Sequence, residues 1–175
     1  MELPVGEFIS QGLDKEVPEA ARTLLESNVK DEIKHDLALG FIVESHGSDP
    51  IAEMEAIRLR DAWIQHPDHT ILKALVAERA IFFVLLPMFR FLGDAALRTV
   101  SADISRDEQI HVATNSLVCR ELGLVPSNSL DKLRKATISW VLQPLKTSPD
   151  KYLDKTFWLD ASDRLMYEGK APQFA

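Results

Sequence analysis

The feature that most constrains this chain of 175 residues is a five-residue pattern that occurs twice, as Asp31–His35 and as Asp107–His111. In each copy an aspartate and a glutamate precede a histidine by four and three residues. On an α-helix, residues three or four apart lie on the same face. Each copy therefore predicts a helix with two carboxylates and an imidazole on one side.

Proline, glycine and capping residues divide the chain into long helical segments, and almost nothing in it is typical of a strand. The predicted helices cover residues 19–46, 50–66, 70–92 and 95–122. Later helices are expected to start at Ser127 and at Ser148-Pro149. The length suits one domain over residues 1–175 with a substantial core. We therefore expect an all-α protein.

The charge balance argues against a nucleic-acid surface. The formal net charge is −7, and the largest basic group, Lys132, Arg134, Lys135 and Lys146, is expected to be a solvated helix face. The single cysteine, Cys119, lies in an apolar stretch and is expected to be a buried free thiol. Neither a membrane span nor a secretory signal is evident, so a cytoplasmic location and no membrane partner are expected.

A third feature is Glu78, which lies within the apolar run Leu75–Phe83. Burying an unpaired carboxylate is costly, so a partner is expected for it. One interpretation is that Glu78 faces water or pairs with Arg79. The alternative is that it joins the two repeats in one buried site.

Together these residues favour a dinuclear metal site. Four-helix bundles bind two metals with one Glu from each of two helices and Glu-x-x-His from each of the other two. In this arrangement Glu32 and Glu108 would bridge the metals, His35 and His111 would each bind one, and Glu78 would be a terminal ligand. The alternative is a pair of core histidines with salt-bridged acids.

The aspartates of the repeats also gain a role in such a site. A metal-bound histidine usually gives its other N–H to an acceptor that fixes its tautomer. The pseudo-symmetry of the repeats predicts that Asp107 orients His35 and that Asp31 orients His111.

Apolar residues are expected around the metals, with Leu39, Phe82 and Ile104 one turn from the ligands. They predict a dry pocket, although the same residues suit an ordinary core. Pro87 is expected to kink its helix and to free the Phe83 carbonyl.

The fourth carboxylate is left open by the sequence. We weakly favour Glu7, which lies 25 residues before Glu32 within a plausible helix. A site with only three carboxylates is a further possibility. The other acidic candidates are Glu2, Glu53, Glu55, Asp160 and Asp163.

Two segments, Glu78–Phe83 and Ile104–His111, closely resemble the paired helices of the class I ribonucleotide reductase small subunit, a member of the ferritin-like di-iron carboxylate superfamily. The resemblance covers about residues 75 to 120 and, more weakly, 31 to 35. It implies a ferritin-like four-helix bundle with additional C-terminal helices. It also matches Glu78, Glu108 and His111 to metal ligands, and Asp107 to the acid beside a ligand.

One departure bears on function. The family's radical-bearing tyrosine follows the first Glu-x-x-His by one turn, and that position is Leu39 here. The small oxygenases of the superfamily need no stored radical. We therefore expect a dioxygen-activating oxidoreductase with two Fe ions, or Mn and Fe, in which Glu32, Glu78 and Glu108 are catalytic ligands.

The expected partners are a small organic substrate and an external electron donor, with a homodimer as an option. The alternatives are a ribonucleotide reductase-like subunit that passes an oxidant to a partner protein and, less favoured, iron oxidation and storage.

Overall fold

The computed structural model describes residues 4–15 and 17–171, and it confirms an all-α protein. The described residues contain no β-strand, only an isolated bridge between Lys146 and Asp154. No helix among them is long and apolar enough to cross a bilayer. The helices are α1 Val5–Leu13, α2 Glu19–His46, α3 Pro50–Gln65, α4 Thr70–Ala77, a π-helix Glu78–Phe82, α5 Phe83–Leu92, α6 Ala95–Glu121, α7 Asn128–Val141 and α8 Lys155–Glu168.

Most predicted boundaries agree with the structure because local chemistry sets them. The Asp49 side chain accepts the Ile51 N–H at 2.9 Å and starts α3, as an N-cap acid should. Gly47 ends α2 with φ of 77°, which lies in the left-handed region that favours glycine. These contacts involve near neighbours in sequence, so sequence pattern alone finds them.

The predicted helix start at Ser148-Pro149 is wrong. Helix α8 begins only at Lys155, where the Asp154 carboxylate accepts the Phe157 N–H at 3.2 Å. The same carboxylate also accepts the Ser148 N–H at 3.2 Å. Asp154 therefore caps the helix and holds the preceding residues in a turn.

The expectation of a solvated basic face is also wrong for Arg134, which is fully buried. Its guanidinium donates to Asp131 and to Asp163, both at 2.7 Å, and to the Ser162 hydroxyl at 2.7 Å. Two carboxylates offset the cost of burying this charge. Arg134 therefore joins α7 to α8.

The long helices surround a common core. Helix α1 packs against α2 and α4, α2 packs against α6, and α6 packs against α4 and α5. The core of this packing includes Ile9, Leu25 and Ala77, together with Cys119, which is buried as predicted. The two helices that carry the repeats therefore lie side by side.

The π-helix interrupts the predicted helix of residues 70–92 directly at Glu78, nine residues before Pro87. Helix α8 packs against it, and the Ser162 hydroxyl donates to the Ala80 carbonyl at 2.6 Å. In the other direction, Arg79 donates to two carbonyls near the end of α8, at 2.7 Å each. The two Arg79 bonds satisfy carbonyls in the last turn of α8, which have no partner within that helix.

Candidate metal centre

Three helical elements bring five predicted ligands into one buried cluster. Glu32 and His35 come from α2, Glu78 from the π-helix, and Glu108 and His111 from α6. None of these five residues is more than 6% exposed. Packing α2 against α6 joins the two repeats, because each presents its glutamate and histidine on the face toward the other helix.

The two repeat glutamates each reach both histidines. The Oε1 atom of Glu108 lies 3.4 Å from His35 Nδ1, and its Oε2 atom lies 3.6 Å from His111 Nδ1. The Oε1 atom of Glu32 lies 3.6 Å from His35 Nδ1 and 3.1 Å from His111 Nδ1. Both carboxylates therefore lie within 3.6 Å of both imidazoles.

Glu78 makes the cluster asymmetric. Its Oε1 atom lies 3.9 Å from His111 Nδ1. One ligand atom from each of Glu32, Glu78, Glu108 and His111 lies within 4.8 Å of the other three, a set able to hold one ion. We call this set the His111 half-site. The His35 half-site consists of His35 with the shared Glu32 and Glu108.

The polar atoms of the cluster are better placed to bind a cation than to hydrogen-bond with one another. Seven buried nitrogen and oxygen atoms of these five side chains have no hydrogen-bond partner. Unsatisfied buried polar groups cost about 1–3 kcal/mol each. Carboxylate oxygens and imidazole nitrogens are also ligands that bind divalent iron and manganese. The arrangement therefore suits metal ions.

The aspartates lie on the outer side of the histidines. Asp107 Oδ2 is 3.1 Å from His35 Nε2, and Asp31 Oδ2 is 3.6 Å from His111 Nε2. Each imidazole thus turns Nδ1 toward the cluster and Nε2 toward the aspartate of the opposite repeat. At His35 this acceptor favours the tautomer whose Nδ1 is free to bind a metal, whereas the 3.6 Å between Asp31 and His111 is too long for a hydrogen bond.

The charges of the cluster compensate one another. Burial disfavours charged imidazoles, yet the nearby carboxylates of Glu108 and Glu32 outweigh it and raise the pKa of both His35 and His111 to about 10. Burial, with the nearby Glu108 carboxylate, raises the pKa of Glu78 well above its usual value. Protons therefore balance the carboxylates when no metal does so.

The structure does not bring Glu7 to the cluster. Its side chain is exposed and accepts a hydrogen bond from Gln11 at 2.9 Å. Helix α1 instead presents Gly6, where an added Cβ would lie 3.0 Å from the Cβ of Glu32. The weak prediction of Glu7 as a ligand therefore does not match its position, because neighbouring residues on a helix face different directions.

The remaining acidic candidates also lie elsewhere or cannot be placed. Glu55 pairs with Arg58 at 3.1 Å, and Asp163 pairs with Arg134. Glu53 and Asp160 are exposed. Glu2 lies outside the described residues. Among residues 4–15 and 17–171, the cluster therefore holds three glutamates.

Sequence reasoning missed Asn115. This residue is fully buried, and its Nδ2 atom donates to Glu78 Oε2 at 2.7 Å. It follows His111 by four residues and Glu108 by seven, so the helical period places all three on one face. That spacing was the signal that could have identified it.

The apolar surroundings of the cluster are less uniform than expected. Ile104 is 5% exposed, whereas Leu39 and Phe82 are partly exposed. Ile33 and Ile110, which neighbour the ligands in sequence, have 65 and 56% of their surface exposed. The repeats therefore lie on helices with one buried face and one outer face that is partly apolar.

Comparisons with known proteins place the chain in no group. No protein-family model, no curated protein and no solved structure matches it.

Proposed function

We propose that this protein is a ferritin-like carboxylate oxidoreductase that holds two Fe ions, or Mn and Fe, and uses dioxygen to oxidise a small organic substrate. The observation that carries the proposal is the position of Glu108, whose two oxygens face different histidines in a buried cluster. A dinuclear centre of this class uses a glutamate of this kind, with one oxygen available to each of two ions.

The packing of the helices supports a four-helix bundle. Helices α1, α2 and α6 and the 70–92 segment each contact two others of the set, in the order α1, α2, α6, 70–92 and back to α1. Ligands project inward from α2, α6 and the 70–92 segment. Metal sites of ferritin-like bundles are built in the same way, from side chains on facing helices.

In this proposal the protein positions and isolates the metals. Bound iron or manganese would supply the electrons that reduce dioxygen, and an external donor would replace them. Glu32 and Glu108 would bind both ions, and Glu78 would complete the His111 half-site. Ile104 and the partly buried Leu39 and Phe82 limit access of water.

The direct test compares Glu108→Ala with Gln109→Ala, which alters an exposed neighbour on the same helix. Wild-type protein and the Gln109 variant should bind two metal ions per chain and consume dioxygen in the ferrous form. The Glu108 variant should lose most of its metal binding and most of its dioxygen consumption, because it lacks a bridging ligand. Full two-metal occupancy in the Glu108 variant, measured by elemental analysis, would contradict the proposal.

The second candidate is a ribonucleotide reductase-like subunit that generates an oxidant for a partner protein. It is favoured by the resemblance of Glu78–Phe83 and Ile104–His111 and disfavoured by Leu39 at the tyrosine position. The two tyrosines of the chain lie in or near α8. Tyr152 stacks on Phe91 at 4.2 Å between ring centroids.

Electron paramagnetic resonance separates these two candidates. Ferrous protein exposed to dioxygen should give no long-lived tyrosyl signal, because the position one turn after His35 is aliphatic. A persistent signal that disappears in Tyr152→Phe or Tyr167→Phe would favour the reductase-like subunit. Iron storage, the third candidate, predicts a many-subunit shell, which sedimentation would detect.

A further inference from the structure

The outer face of α3 is apolar and exposed. Ile51, Met54, Ile57 and Ile64 have 74, 58, 48 and 39% of their surface accessible to solvent. Their spacing places them on one side of the helix, opposite the buried Trp63. We call these four residues the α3 stripe. Asp61 lies between Ile57 and Ile64 on this side and pairs with Arg60 at 3.3 Å. Several exposed apolar residues on one side of a helix are typical of an interaction surface.

Helix α3 is weakly held by the rest of the described chain. Of its 16 residues only Trp63 is buried. It packs against α7, where the Trp63 indole N–H donates to the Thr137 hydroxyl at 2.9 Å. An isolated helix of about 15 residues is marginal in water, because helices in proteins are stabilised chiefly by packing of an apolar face. The α3 stripe is the apolar face of this helix that could pack against a partner.

The charges of α3 indicate which partner fits the stripe. Glu53 and Glu55 precede Ile57, and Arg58 and Arg60 follow it. Suppose that two α3 helices pack antiparallel and that the two-fold axis passes between residues 56 and 57. Arg58 of one copy then lies level with Glu55 of the other. Arg60 then lies level with Glu53. A parallel pair would instead place each charge level with its own kind.

We infer that α3 is a homodimer contact, in which the stripe of one copy packs antiparallel against the stripe of a second copy. A two-fold interface uses the same patch on both subunits and must be self-complementary, as this charge pattern is. Burial of the apolar side chains stabilises the contact. The flanking ion pairs add little free energy but set the orientation. The inference does not depend on metal binding.

Sedimentation equilibrium of the full chain tests the contact. Wild-type protein should be a dimer, and Met54→Lys/Ile57→Lys should raise the dissociation constant by about tenfold or more, since four lysines, two from each copy, would be buried against one another. Both residues are exposed in the single chain, so circular dichroism should be unchanged. Val125→Lys is the matched control, because Val125 is 80% exposed and lies outside α3.

Three outcomes would overturn the inference. The wild-type chain could be monomeric at every concentration tested. It could form a dimer with the same dissociation constant in the double variant, which would place the contact elsewhere. It could also remain monomeric and bind vesicles of anionic phospholipid through the stripe, which would assign this face to a membrane surface.

Cysteine cross-linking tests the antiparallel orientation. Ile57→Cys lies next to the axis, so two copies should form a disulfide under mild oxidation. With a rise of about 1.5 Å per residue, copies of Ile51→Cys and of Ile64→Cys would be about 16 and 22 Å apart along the helices. Disulfides need Cα atoms within about 7 Å. Equal cross-linking at all three positions would show a parallel pair and refute the inference. The native cysteine, Cys119, is buried, so the introduced cysteines are the exposed ones.

Discussion

The Asn115 side-chain amide donates to Glu78 Oε2 at 2.7 Å, and both residues are fully buried. This bond joins α6 to the π-helix and leaves Glu78 Oε1 turned toward His111 at 3.9 Å. It also works against the burial that raises the pKa of Glu78. Asn115 therefore holds the terminal carboxylate of the proposed metal centre in one orientation.

We predict that Asn115→Ala weakens metal binding at the His111 half-site by about 10- to 100-fold, as loss of a group that orients a ligand does. Calorimetric titration of the metal-free protein with ferrous or manganous ion would measure the change. Gln109→Ala, an exposed change on the same helix, should bind as wild type does. Equal affinities in all three proteins would show that the amide serves packing alone.

The two half-sites should fill in order. Among the described residues the His111 half-site has three carboxylates, and the His35 half-site has only the two that both share. More negative charge around one position favours the first divalent ion there. We therefore predict that His35→Ala retains one tightly bound metal per chain, whereas His111→Ala loses the tight site. A stoichiometric titration in which His35→Ala loses the tight site and His111→Ala retains it would contradict this prediction.

The aspartates should matter for metal binding without being ligands. Asp107 is 3.1 Å from His35 Nε2, and Asp31 is 3.6 Å from His111 Nε2. We expect Asp31→Ala and Asp107→Ala to fold and to lose about 10- to 100-fold in metal affinity or activity. Asp103→Ala, an exposed acid on α6, is the control. Wild-type behaviour of both variants would show that the aspartates are ordinary surface acids.

The stability of the metal-free protein should fall as the pH rises. The pKa of both His35 and His111 is raised from 6.5 to about 10 by the surrounding carboxylates. A raised folded-state pKa contributes stability that is fully present below pH 6.5 and is lost as the pH rises through about 10. Urea unfolding with chelator present should show this loss, and His35→Gln/His111→Gln should reduce it. A wild-type free energy of unfolding that is constant over this range would contradict the prediction.

The contact between α8 and the π-helix should stabilise the fold. The Ser162 hydroxyl accepts from Arg134 at 2.7 Å and donates to the Ala80 carbonyl at 2.6 Å. Ser162→Ala removes the partner of Arg134 Nη1 and one donor to the buried Ala80 carbonyl, so it should lower the free energy of unfolding by about 1–3 kcal/mol. The exposed change Ser139→Ala is the control for chemical denaturation. Equal denaturation midpoints for the two variants would show that Ser162 does not stabilise the fold in this way.

The sequence by itself determined the all-α class, most helix boundaries and the faces of α2 and α6 that carry the repeats. Caps such as Asp49 and the three-residue spacing of Glu32 and His35 depend on neighbours within one turn. Such short-range relations can be read from the chain without knowing which helices meet.

Only the tertiary structure decided which groups share a site. It paired Glu78 with Asn115, placed Gly6 rather than Glu7 against Glu32, and buried Arg134 between carboxylates of two helices. Each result depends on the packing and rotation of helices that are distant in sequence. Burial and electrostatic pairing are properties of that packing, and a helical pattern alone does not specify them.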